Sequence, residues 1–129
     1  MIRIVKYLIA ALLALAFVGC ASYQTKSMGA PAKMEGGKLV NSAGMTLYTF
    51  DKDVAGGGKS ACNGPCAALW PPIAADAGAA ASGDYSIVTR DDGSKQWAYQ
   101  GKPIYLYAKD EKPGDMLGNN FKGVWHIIK

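Results

Sequence analysis

One histidine, His126, is all the imidazole in a chain of 129 residues, and three cysteines are all its thiols. That scarcity excludes much. A Ser-His-Asp triad would have to be built on His126 alone, and no such arrangement is recognisable around it. A structural zinc needs four ligands, and a Cys pair leaves two of those places without convincing candidates. The Cys-x-x-Cys redox spacing and the Cys-x-x-Cys-His haem attachment are both missing. Arginine is nearly absent, at Arg3 and Arg90 only, and the lysines are scattered singly. Nothing therefore forms the basic stripe that nucleic-acid binding requires. The run Gly56–Lys59 lacks the earlier, correctly spaced glycine of a phosphate loop, although Ser60 follows it. A membrane-spanning run is lacking too: the apolar stretch Tyr7–Val18 falls short of the about 20 residues a bilayer demands.

What is present begins with a leader. Arg3 and Lys6, the apolar stretch, and then Gly19 and Cys20 read as a secretory signal over residues 1–19. Its end, Phe17-Val18-Gly19-Cys20, resembles the lipobox of bacterial lipoproteins, with Phe17 where Leu is usual. The resemblance implies cleavage before Cys20 and acylation of both its thiol and the new amino terminus. Each buried methylene contributes about 0.8 kcal/mol, so several acyl chains on one residue make a stable anchor. A competing cut after Ala21 would use Gly19 and Ala21 as its small residues and release a soluble protein. No Asp follows Cys20, which resembles sorting to the outer membrane, facing the periplasm, in a cell with two membranes. With Arg3 and Lys6 removed, twelve basic and ten acidic side chains remain, a net charge of +2. Residues 20–37 lack an apolar period and read as the lipidated N-terminus and a flexible tether.

The remainder, 38–129, reads as one small, mainly β domain. Lys38–Phe50 holds two β-rich segments around Ser42-Ala43-Gly44, and Tyr85–Tyr107 holds three, turning at Asp92-Gly93 and Gln100-Gly101. Asp-Gly suits a tight hairpin in which both central residues take positive φ. Gly123–Ile128 supplies a last strand. Two ten-residue stretches repeat: Gly44–Asp53 and Gly101–Asp110 share Gly, Tyr, a second aromatic and Asp at the same spacing. The shared positions are Tyr48, Phe50 and Asp53, and Tyr105, Tyr107 and Asp110. Trp70 and Trp125 follow at similar distances. The spacing predicts two similar hairpin or meander repeats, about 38–73 and 85–129, each too small to bury a core alone.

These motifs resemble a family of bacterial lipoproteins with a Tyr-x-(Phe/Trp/Tyr)-x-x-Asp signature, the secreted repeat of unknown function. The resemblance covers about Lys38 to Ile128 and implies a two-repeat envelope protein without assigning it an activity. The residues themselves point to structure. A Tyr and an aromatic two positions on share one face of a strand, where aromatics mostly pack, while Leu47 and Leu106 face the other way. Asp53 and Asp110 sit where a carboxylate bonds backbone amides and fixes a turn.

Cys62 and Cys66 have no counterpart in the second repeat. In an oxidising compartment the expected state is a disulfide between them. Pro65 suits the first position of a short helix near Cys66–Trp70 that Pro71-Pro72 stops. That helix start also favours a thiolate at Cys66. Hence an alternative stays open: a periplasmic redox or metal-handling accessory, for copper or haem, using Cys62 and Cys66. His126, Met28, Met34, Met45 or Met116 could then be a further soft ligand. The preferred reading is a lipid-anchored, non-catalytic structural or binding module. No catalytic residue, metal or cofactor is expected, the membrane is met through the lipid, and the protein partner or ligand is left open.

Overall fold

Two glycines set the first boundary. In the computed structural model, which describes residues 30–129, strand β1 (Ala32–Glu35) turns at Gly36-Gly37 into β2 (Lys38–Asn41). Both glycines take positive φ, 64° and 83°, and the strands pair antiparallel from Glu35↔Lys38 to Ala32↔Asn41. A two-residue turn with positive φ at both positions matches the twist of a hairpin, and glycine adopts it without steric cost. The flexible tether expected up to Gly37 is therefore corrected: residues 32–37 are part of the folded domain. The leader, Cys20 and the first part of the tether lie outside the described residues.

The chain continues through β3 (Tyr48–Phe50), a long loop, α1 (Pro65–Leu69) and a crossing segment to β4 (Tyr85–Thr89). Strands β5 (Lys95–Tyr99) and β6 (Lys102–Pro103), a 3₁₀ turn at Phe121–Gly123 and β7 (Trp125–Ile127) complete it. Pro65 opens α1, and its last turn closes with the Trp70 amide donating to the Cys66 carbonyl at 2.8 Å. The β5–β6 turn at Gln100-Gly101 has φ of 51° and 86°, the tight two-residue form. The β4–β5 turn does not. There only Gly93 has positive φ, and Arg90 pairs Ser94 across a three-residue loop. The expectation of positive φ at both Asp92 and Gly93 is corrected, because Asp92 instead accepts the Ser94 amide and hydroxyl on its own carboxylate.

The two repeats meet at Tyr48 and Tyr105. The Tyr48 amide donates to the Tyr105 carbonyl at 2.8 Å, and the Tyr105 amide returns the bond at 3.0 Å. Matching contacts spread from this point in both directions. Phe50 pairs Trp125 and Tyr48 pairs Ile127 across β3 and β7; opposite them, Tyr105 bridges Pro72 and Ala108 donates to Leu69. Leu39 donates to Ile128, and Trp97 donates to Ile73. In each repeat, then, the segment containing the Trp leaves its own hairpin and completes the sheet of the other repeat. Among the described residues the result is mainly β, with small sheets, one short helix and two interlocked repeats.

Alternation along the motif strands divides the core. Tyr48, Phe50, Tyr105 and Tyr107 face an aromatic cluster with Cys62, Trp70 and Trp125. Leu47 and Ile104 face a second cluster with Ala32, Leu39 and Ile128, against which Leu106 packs.

Candidate functional site: crossed tyrosine–aspartate pairs

Both motif tyrosines reach across the repeat boundary. Tyr48 donates its hydroxyl to Asp110 Oδ2 at 2.7 Å, and Tyr105 donates to Asp53 Oδ2 at 2.6 Å. Each carboxylate also holds the loop behind it: Asp53 Oδ1 accepts the Ala61 amide at 2.6 Å, and Asp110 Oδ1 accepts the Leu117 amide at 2.9 Å. Each phenol oxygen accepts in turn from that same loop. Gly118 N–H donates to the Tyr48 oxygen at 3.2 Å. Ser60 Oγ stands 2.6 Å from the Tyr105 oxygen, and since that phenol's proton is given to Asp53, the serine is the donor. All four side chains are buried.

Electrostatics follow from this burial. Removal from water, and then the bond to Asp110, raises the Tyr48 phenol well above its ordinary pKa. Burial and the bond to Asp53 do the same at Tyr105. Both phenols stay protonated and act as donors at any physiological pH. A buried carboxyl group that accepts hydrogen bonds from a phenol hydroxyl and a backbone amide suffers far less from burial than one without partners.

Beside these pairs the rings form a column. Phe50 stacks on Trp125 at 4.2 Å, Trp125 on Trp70 at 3.8 Å, and Trp70 on Tyr107 at 4.2 Å. The contacts alternate between repeats, so the second aromatic of each motif covers the Trp of the other repeat. Tyr48 and Tyr105 meet the two indoles edge-on. Gly118 closes the column's side: a Cβ there would lie 2.6 Å from the Trp70 ring.

Cys62 and Cys66 are joined as a disulfide. Cys62 is fully buried in the aromatic cluster, and the bond ties the loop bearing Ser60 and Ala61 to the helix that delivers Trp70. Arg90, from the second repeat, donates to the Cys62 carbonyl and to Gln96 Oε1, while Gln96 donates to the Ile104 carbonyl at 2.9 Å. The second repeat holds its equivalent loop without sulfur. There Asp115 accepts the Glu111 and Lys112 amides, and its carbonyl accepts Thr46 Oγ1 from the first repeat.

The motif residues expected from sequence thus all come together, in one crossed cluster. His126 does not join them. It lies on the solvent side of β7, with Nε2 2.8 Å from Asp51 Oδ2 and Nδ1 3.2 Å from Asn120 Oδ1. Met34 and Met116 are exposed, and Met28 and Cys20 lie outside the described residues. Among the described residues, no three His, Cys, Asp or Glu side chains converge as metal ligands. Ser60, Gly118 and the Arg90–Gln96 strap are functional positions that the motif spacing did not include, and the strap carries no sequence signal at all. Gly118 lies eight residues past Asp110, close to the seven that separate Ser60 from Asp53, and that spacing was the available clue.

A family model described as a secreted repeat of unknown function matches residues 32–74 and again 86–129. The chain belongs to this family. The first match begins at Ala32, where β1 begins, and the second ends with the chain, so the matches follow the two interlocked units. No curated protein and no solved structure matches the chain. Among the described residues, no helix of this secreted-repeat protein is long and apolar enough to cross a membrane.

Proposed function

We propose that this secreted-repeat protein is a lipid-anchored envelope lipoprotein that works as a non-catalytic structural or binding module. The observation supporting this most is where the motif's chemistry is spent. Both phenols and both carboxylates of the repeated motif bond each other and backbone amides inside the core. A catalytic carboxylate or phenol has to face a substrate, whereas these groups hold two halves of a domain together. The Cys62–Cys66 bond accords with an oxidising envelope compartment. Anchoring rests on the lipobox at Phe17–Cys20, and the outer membrane rests on the absence of Asp after it.

Detergent partitioning and intact mass of the protein isolated from its membrane test the anchor. The expected species starts at Cys20 and carries acyl mass; an unmodified N-terminus at Ser22 overturns it. Thiol titration under native conditions tests the module against the metal- or redox-handling alternative. No free thiol before reductant, and copper or haem binding no greater than in a Cys62→Ser/Cys66→Ser variant, are expected. Free thiols in fresh protein, or stoichiometric copper lost in the variant, would move the reading to the alternative.

A further inference from the structure

The face that joins the two repeats is complementary to a repeat, not to one particular covalent neighbour. Each half lacks the same three things and receives them from the other: an Asp for its Tyr hydroxyl, a Trp for its second aromatic, and a strand beside its motif. The half that supplies them is tied on only through residues 76–84, a stretch rich in Ala and Gly between Ala75 and Tyr85. We propose that this face recognises a second copy of the chain, so that repeat 1 of one molecule pairs with repeat 2 of another and the two exchange halves.

Linker geometry makes the exchange conditional. Ala74 bridges Gln96 on one side of β5, while β4 pairs along the other side, with Tyr85 opposite Tyr99. From Ala75 to Tyr85 the chain must therefore pass over a face of the sheet. With strands about 4.8 Å apart and residues about 3.4 Å apart along them, the straight line is about 17 Å and runs through β5. The linker reaches about 35 Å when extended, which is ample for the detour. Deleting Ala77–Ala81 leaves a reach of about 17 Å. That matches the blocked straight line and leaves nothing for the arch, so the shortened chain closes only with another molecule. The deletion spares every residue of the crossed cluster, and the retained Ser82–Tyr85 backbone pair shortens the reach further.

The mature chain and its Ala77–Ala81 deletion variant are compared by light scattering and near-UV circular dichroism. The variant is expected to fold and to have twice the monomer mass; a folded monomer overturns the proposal. A second measurement covers a variant that fails to fold. Isotope-labelled and unlabelled mature chains are unfolded together and refolded at high concentration. Mixed dimers are expected, with nuclear Overhauser contacts between Trp70 of one isotope and Trp125 of the other. Refolding that yields only unmixed monomers, or mixed dimers in which those indoles contact only within one chain, overturns it.

Discussion

Tyr48 and Asp110 are 62 positions apart and 2.7 Å from one another, and residues at that scale decide most of what the motif does. Tyr48→Phe or Tyr105→Phe removes the donor while leaving the carboxylate buried. A loss of about 1.5–3 kcal/mol is expected from denaturant unfolding, the size of a hydrogen bond to a charged group. A double-mutant cycle reads the crossing directly. Tyr48 with Asp110 should give a coupling of about 0.5–3 kcal/mol, and Tyr48 with Asp53 of its own repeat much less. Alkaline pH probes the same phenols. Their pKa values are raised in the folded state, so the folded chain keeps two protons that the unfolded chain releases near pH 10. Stability from this source is complete below about pH 10 and is lost as pH climbs toward the folded values. The slope is about 1.4 kcal/mol per pH unit for each phenol. Tyr85, raised by burial, adds to the wild-type slope. Tyr105→Phe should remove one phenol's share of it, as read by denaturant unfolding at a series of alkaline pH values.

Among elements, the loop between β3 and α1 differs most between the halves. In the first repeat a disulfide fixes the path that brings Ser60 to Tyr105 and Trp70 to the column; in the second, Asp115 does comparable work with hydrogen bonds. A five-residue loop closed by a disulfide is worth about 2 kcal/mol on the chain-entropy estimate. The Cys62→Ser/Cys66→Ser variant should therefore fold, with an unfolding free energy from denaturant titration lowered by about that amount. Arg90 explains why the loss should stay modest, since it donates to the Cys62 carbonyl from the second repeat while Gln96 Oε1 accepts from it and holds it in place. The hairpins were legible element by element. Val40, Leu47, Val88 and Trp97 lie in short β-rich runs punctuated by Gly, and Pro65 with Pro71-Pro72 brackets the helix. The β1 strand is faint in the sequence: the alternation of Ala32–Glu35 spans only four residues, Ala32 alone of them is buried, and the Gly36-Gly37 turn is its clearest mark.

For the molecule as a whole, interlocking predicts one cooperative transition. Neither repeat has its own Asp partner, its own Trp cover or its own strand beside the motif, so partial unfolding of one half exposes the core of the other. Near-UV circular dichroism, which reports the indole column, and far-UV signal, which reports the hairpins, should give coincident melting curves. Two separated transitions would mean that the halves are independent domains joined by the 76–84 linker.

The sequence by itself determined the repeat, its aromatic faces, where most of the turns fall, the short helix and the two cysteines free to pair. Apart from the repeat, which is read by comparing the two stretches, these follow from spacing within about ten residues, where side-chain period and glycine placement have a direct local meaning. Only the tertiary structure decided which Asp each Tyr uses and which Trp each aromatic covers. Asp53 and Asp110 offer identical chemistry, as do Trp70 and Trp125, so nothing local distinguishes a pairing within a repeat from one between repeats. The choice is made by the path of the chain: each Trp segment crosses to pair with the other motif strand, and the carboxylates meet the phenols that this crossing brings to them.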